Sequence, residues 1–146
     1  MQSWGTFADA QPDLAQFGAA RLHGQVAYLG TVNQRGRPRV HPVTPIIGHN
    51  RLFLFMEPTS PKGTDLRRGS GYCLHASVAD TAGSNGEFQV SGVGRLIEDP
   101  AIRRLAIACV PYTPLERYLL FELSVEEVLR TLYTDDGPQR TRWRAS

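Results

Sequence analysis

Apolar residues recur with two different periods along this chain. Over Asp9 to Leu22, the residues Leu14, Phe17, Ala20 and Leu22 return at helical spacing, with Pro12 near the start and His23-Gly24 closing the segment. Strand patterns follow. Gln25 to Asn33 carries Val26, Tyr28 and Val32 on one face, and Gln34 to Pro38 reads as a turn. Arg39 to Ile47 is rich in β-branched residues but holds Pro42 and Pro45. Prolines cannot donate to a ladder, so this segment is predicted as an edge or strongly bent strand. After a turn at Gly48 to Asn50, Arg51 to Met56 is apolar on both faces. It therefore needs burial on both sides, in a closed barrel or at a subunit interface.

A short helix is predicted over Lys62 to Arg68, with Ser60 as N-cap, Pro61 at the first helical position, Leu66 as anchor and Gly69 as the stop. Strand character resumes at Tyr72 to Val78, and a polar loop covers Ala79 to Gly86. Glu87 to Glu98 is a long strand in which Gly92 and Gly94 mark a bulge or the close approach of another backbone. Asp99-Pro100 opens a helix to about Cys109, ended by Pro111 and Pro114, and Arg117 to Leu123 alternates as a strand. Ser124 to Thr134 reads either way: Ser124 and Glu127 suit a capping box, while Val128 to Tyr133 suits a strand. Gln139 to Arg144 is a basic tail with one aromatic. Six or seven strands and two or three short helices predict an α+β domain over residues 1–146, an antiparallel barrel with helices at its ends.

Composition narrows the function classes. A chain of 146 residues with 41% apolar content can bury roughly two-thirds of its unfolded surface. Its 16 basic and 14 acidic residues leave a net charge of +2, which argues against nucleic acid as a partner. No run approaches the roughly 20 apolar residues of a membrane span. The first residues lack the basic start and apolar run of a signal peptide, so a cytoplasmic location is expected. Cys73 and Cys109 do not suggest a disulfide framework, and His23, His49 and His75 are too scattered for a metal site. No nucleophile–base constellation stands at interpretable spacing, so the catalytic residues stay unassigned.

Lys62 is the one lysine; the other 15 basic side chains are arginines. A lysine after a strand and a tight loop, at a helix start, is suited to a phosphate, because N–H groups and the positive helix end point outward there. The ordinary reading of such a lysine, and of Arg39 beside its turn, is a solvated surface charge. His41, on the Pro-bent strand, suits either a hydrogen-bonded structural role or a contact to a cofactor.

The order of these segments resembles the pyridoxamine 5′-phosphate oxidase-like family of flavin-binding split barrels. The residues that carry the resemblance are Arg39-Val-His-Pro-Val-Thr-Pro45, Leu52-Phe-Leu-Phe-Met56, Ser60-Pro-Lys-Gly-Thr-Asp-Leu66 and Glu87 to Pro100, within a match over about Phe7 to Phe121. The resemblance implies a six-stranded split barrel that dimerises, with FMN in a groove between the subunits. It implies flavin and phosphate contacts from Arg39, Val40, His41, Pro42, Val43 and Thr44. Phe55 and Met56 would run beside the flavin ring, with Phe53 adding to an apolar wall, and Ser60-Pro61-Lys62 would grip the phosphate. Glu87 would reach the flavin from the partner subunit, and Trp143 from the C-terminal segment. The chain departs from the pyridoxamine phosphate oxidase pattern at three places. Pro61 replaces a basic residue, Glu87 replaces an amide, and the C-terminal basic-His-basic substrate motif is missing. The implied function is an FMN-dependent oxidoreductase of unassigned substrate, drawing electrons from a nicotinamide or a deazaflavin. The alternative is a non-catalytic barrel that holds flavin or haem, with His41 or His75 as axial ligand.

Overall fold

Thr44 and Pro45 are the only residues between two strands that lie at opposite ends of one sheet path. A two-residue link spans only about 11 Å, so the sheet must curl until those ends nearly meet. A computed structural model of the chain describes residues 2–146; Met1, the first residue of the expected domain, lies outside the described residues. The path runs β2 (Pro38–Val43), β1 (Ala27–Val32), β5 (Gly71–Ala76), β6 (Glu87–Ile97), β7 (Leu119–Leu123), β4 (Arg51–Met56), β3 (Ile46–Gly48). A further hairpin, β8 (Glu127–Thr134) and β9 (Gly137–Arg144), joins through β6. All pairings are antiparallel. The architecture is α+β, as expected, but the curled sheet has nine strands where six were expected.

Two physical causes account for the surplus. Pro45 breaks Arg39 to Ile47 into β2 and β3, which pair with different partners at the two edges. The tail read as a basic end forms β9, and Ser124 to Thr134 resolves as strand β8. The helix expected from Asp9 is likewise two, α1 (Trp4–Ala10) and α2 (Pro12–Leu22). They are broken at Gln11, whose φ of −139° and ψ of 69° suit a residue held out of the helical region by the proline that follows it. α3 (Pro61–Arg67) and α4 (Pro100–Ile107) stand where predicted.

The two-faced apolar strand β4 is buried within the chain itself. Leu52, Leu54 and Met56 enter a main core with Phe7, Leu29, Phe88 and Phe121; Phe53 enters a second cluster with Ile46, Leu120 and Ala106 of α4. β6 changes partners midway. Its first half pairs with β5 and β8, and its last residues pair with β7. The changeover lies at Gly92, where a Cβ would stand 2.5 Å from the Ser124 carbonyl oxygen. Gly92→Ala is therefore expected to destabilise the fold by about 1–3 kcal/mol, the usual cost of overpacking, read as a lower urea midpoint with an unchanged slope.

Candidate functional site

Thr31 and Arg39 are opposite one another in the β1–β2 ladder, and α3 lays Asp65 against both. The Asp65 side chain is fully buried. Its Oδ2 accepts from Thr31 Oγ1 at 2.9 Å and from Arg39 Nε at 2.9 Å, and its Oδ1 accepts from Arg68 at 2.7 Å. Burial pushes the carboxyl pKa upward. The hydrogen bonds from Thr31 and Arg39 and the charges of Arg39 and Arg68 outweigh that and hold it below its ordinary value. A depressed folded-state pKa adds stability above the unfolded value of about 4. That contribution is lost as pH falls through the folded value. The stability advantage of the wild type over Asp65→Asn is thus expected in full at neutral pH and to shrink below about pH 4, as denaturant melts across pH would show.

Lys62 is half-buried, its Nζ donates to Ser60 Oγ at 2.7 Å, and burial lowers its pKa. Among the described residues no carboxylate pairs with it. His41 shares the inward face of β2 with Arg39 and Val43. Burial first, then the charges of Lys62 and Arg39, lower its pKa, with Asp65 opposing them, so the imidazole is neutral at pH 7. Its Nε2 is buried and has no hydrogen-bond partner among the described residues. Arg39 and Arg68 share the one carboxylate of Asp65, and Lys62 adds a third cation whose charge reaches His41. That surplus suits a phosphate monoester, which carries about −1.5 to −2 charge.

The backbone at the start of α3 contributes less than its sequence promised. The helix has seven residues, Pro61 has no N–H, and the Gly63 and Thr64 N–H groups both turn to the Ser60 carbonyl. Ser60 stands at the N-cap but makes no capping bond with its side chain. The cationic character of the site therefore comes from side chains.

Beside Lys62 is an open hollow of about 300 Å³, lined also by Pro42, Val43, Thr44, Phe55, Glu57, Tyr112 and Tyr118. Phe55 is the one member of the expected apolar wall that faces it. Phe53 is fully buried in the second cluster, and Met56 lies under α3 with its sulfur against Gly63. Tyr112 and Tyr118 supply aromatic surface instead, and Glu57 at the rim is paired with Arg117. Val40 is 69% exposed on the opposite face of β2, and Pro61 is exposed.

Glu87 and Trp143 lie elsewhere in the chain. Glu87, on the outer face of β6, accepts from Tyr133 Oη at 2.9 Å and lines a notch of about 150 Å³ with His75, Gln89, Thr131 and Arg140. Trp143 faces inward, opposite Val128, and packs on Phe7 with ring centroids 5.1 Å apart. Neither lines the Lys62 hollow of its own chain. Among the described residues no three His, Cys, Asp or Glu side chains gather as a metal ion would need, and no helix is long and apolar enough to cross a membrane.

Asp65, Thr31 and Arg68 were not singled out from the sequence, yet one signal was present. Asp65 and Leu66 follow Lys62 by three and four residues, so the three share a helix face, and a carboxylate beside the anchoring leucine is a carboxylate facing the core. Tyr112, Tyr118 and Glu57 had no such signal, because they converge from two loops.

No family model and no curated protein matches the sequence. Solved structures do share its fold. A pyridoxamine 5′-phosphate oxidase-related, FMN-binding protein from Nostoc punctiforme superimposes with a TM-score of 0.67 at 14% identity, covering 96% of this chain and 91% of that one. A conserved hypothetical protein from Mycobacterium tuberculosis gives a TM-score of 0.68 at 15% identity, covering 92% and 84%. A haem-binding protein from Mycobacterium smegmatis gives 0.63 at 18% identity; the match covers 86% of this chain and 55% of that longer one. The fold is that of the pyridoxamine 5′-phosphate oxidase-related split barrels.

Proposed function

We propose that this protein binds FMN, anchoring its phosphate between β2 and α3, and serves as a flavin-dependent oxidoreductase. The observation that carries the reading is the surplus of cations: among the described residues Lys62 has no carboxylate partner, Arg39 and Arg68 share Asp65, and a neutral His41 whose buried Nε2 has no partner there lies in their field. Such a set holds a phosphate through charge-assisted hydrogen bonds, about twice as strong as neutral ones. Arg39 offers a fork and Lys62 a point charge. Phe55, Tyr112 and Tyr118 offer apolar surface beside the phosphate for a planar ring. A bound flavin would supply hydride chemistry; the chain's own residues would fix its position and limit the access of water.

Two copies complete this reading. Tyr28, Val32 and Val40 are exposed side by side on the outer face of β1 and β2, the same sheet face that carries His75 and Glu87. A second copy on that face would cover the apolar strip and carry Glu87 toward the partner's flavin. Electrons would come from a nicotinamide or a deazaflavin. Bleaching of the flavin absorbance on anaerobic addition of NADPH or a reduced deazaflavin is the expected result. Bound FMN that neither donor reduces would leave a binding protein and refute the oxidoreductase assignment.

One observation favours a haem reading as the alternative. His75 Nδ1 lies 2.7 Å from the Ala76 carbonyl oxygen, which can only accept, so Nδ1 carries a proton, and in the neutral ring Nε2 is the nitrogen left with a lone pair. His75 lines the notch beside Glu87. A Soret band, lost in His75→Ala, would support that alternative.

A further inference from the structure

We infer that Asp65 is a positioning residue for the phosphate site: a buried carboxylate that orients the Arg39 guanidinium, so that a negative charge inside the site strengthens its hold on an anion. The inference rests on the flavin-phosphate reading and adds to it a residue that touches no ligand. Oδ2 of Asp65 takes Arg39 through Nε alone, and the Arg39 side chain makes no other hydrogen bond among the described residues, so both terminal nitrogens stay available. The carboxylate is itself fixed from two further directions. Thr31 Oγ1 donates to the same Oδ2, and Arg68 donates to Oδ1 at 2.7 Å. Thr31 and Arg39 are direct cross-strand neighbours, so the ladder between β1 and β2 sets the distance that Asp65 bridges. The Arg39 side chain remains 36% exposed while Asp65 is fully buried. An arginine so exposed and left unpaired would sample many rotamers, and ordering it on binding carries an entropic cost. Asp65 meets that cost during folding.

A carboxylate is required for this. It accepts at both oxygens, whereas the NH₂ group of an amide would be directed at one of the two guanidiniums. Burying the charge is tolerated because three donors satisfy it.

The sign of the effect separates this inference from simple electrostatics. Removing a negative charge near an anion site should tighten anion binding through space; removing the group that orients Arg39 should loosen it. The test is titration of wild type, Asp65→Asn and Thr31→Val with FMN and with riboflavin, which lacks the phosphate. Asp65→Asn is expected to weaken FMN about tenfold, with riboflavin changed less than twofold, so the preference for FMN collapses. Thr31→Val keeps the charge and loses one anchoring bond; it is expected to reduce that preference a few-fold in the same direction. A purely structural role would lower both affinities together and leave their ratio intact. FMN affinity in Asp65→Asn equal to or tighter than wild type, or an intact FMN-to-riboflavin ratio, would overturn the inference. Should Asp65→Asn fail to fold, an unchanged ratio in Thr31→Val overturns it. A wild type that binds FMN no better than riboflavin refutes the flavin-phosphate reading itself, and the inference with it.

Discussion

Lys62→Ala is expected to weaken FMN binding roughly ten- to a hundredfold and to leave riboflavin binding within a few-fold of wild type. The magnitude follows from the value of a hydrogen bond to a charged group, about 1.5–3 kcal/mol, at about 1.4 kcal/mol per tenfold change. Lys62 is suited to an effect of that size. It is half-buried, and among the described residues its ammonium hydrogen-bonds only the Ser60 hydroxyl and no carboxylate pairs with it, whereas Arg39 and Arg68 already share Asp65. The fold should be indifferent to the change, since the ammonium supports no other element. Arg39→Ala is expected to shift FMN affinity in the same direction. Equal FMN affinity in wild type and Lys62→Ala would remove Lys62 from the site.

The second large effect concerns the frame that carries the site. Phe88→Ala is expected to cost about 3–5 kcal/mol, the usual range for a buried phenylalanine, out of the roughly 5–15 kcal/mol that stabilises a domain. Phe88 is fully buried on the inner face of β6, with Trp4 of α1 and Phe17 of α2 at ring-centroid distances of 6.4 and 6.2 Å. Gly18 lies so close that a Cβ there would stand 2.3 Å from the Phe88 ring. Both N-terminal helices therefore pack against this side chain. Urea unfolding of the variant should show the loss; a change below about 1 kcal/mol, well under the cost of truncating a buried aromatic, would mean the helices are seated by other contacts.

Much of the fold was legible where side-chain chemistry acts locally. The prolines of Arg39 to Ile47 placed that segment at the edges of the sheet, and it forms β2 at one edge and β3 at the other. Gly92 signalled a close backbone approach, and the Ser124 carbonyl is there. Ser124 to Thr134 stayed ambiguous because Val125, Val128, Leu129 and Leu132 fit a helical period while the β-branched and aromatic stretch Val128 to Tyr133 suits a strand; β6, with an edge to fill, decides for the strand. β9 was hidden because Trp143 is its one inward aromatic, while Arg140, Arg142 and Arg144 lie on the other face. The turn that carries it, Asp135-Asp136-Gly137, was an unused hairpin signal, with Gly137 at a φ of 106°. Lys62 and Arg39 were read from their places after turns; Asp65 was marked only by its place beside Leu66, and its bonds to Thr31, Arg39 and Arg68 exist only once β1, β2 and α3 are packed together.

The absorbance spectrum of the purified protein, taken after incubation with FMN and removal of free ligand, tests the central claim most directly. The account predicts flavin bands at one FMN per chain, and their absence when riboflavin replaces FMN at the same concentration. A Soret band in the protein as purified, or a colourless protein after incubation with FMN, would contradict it.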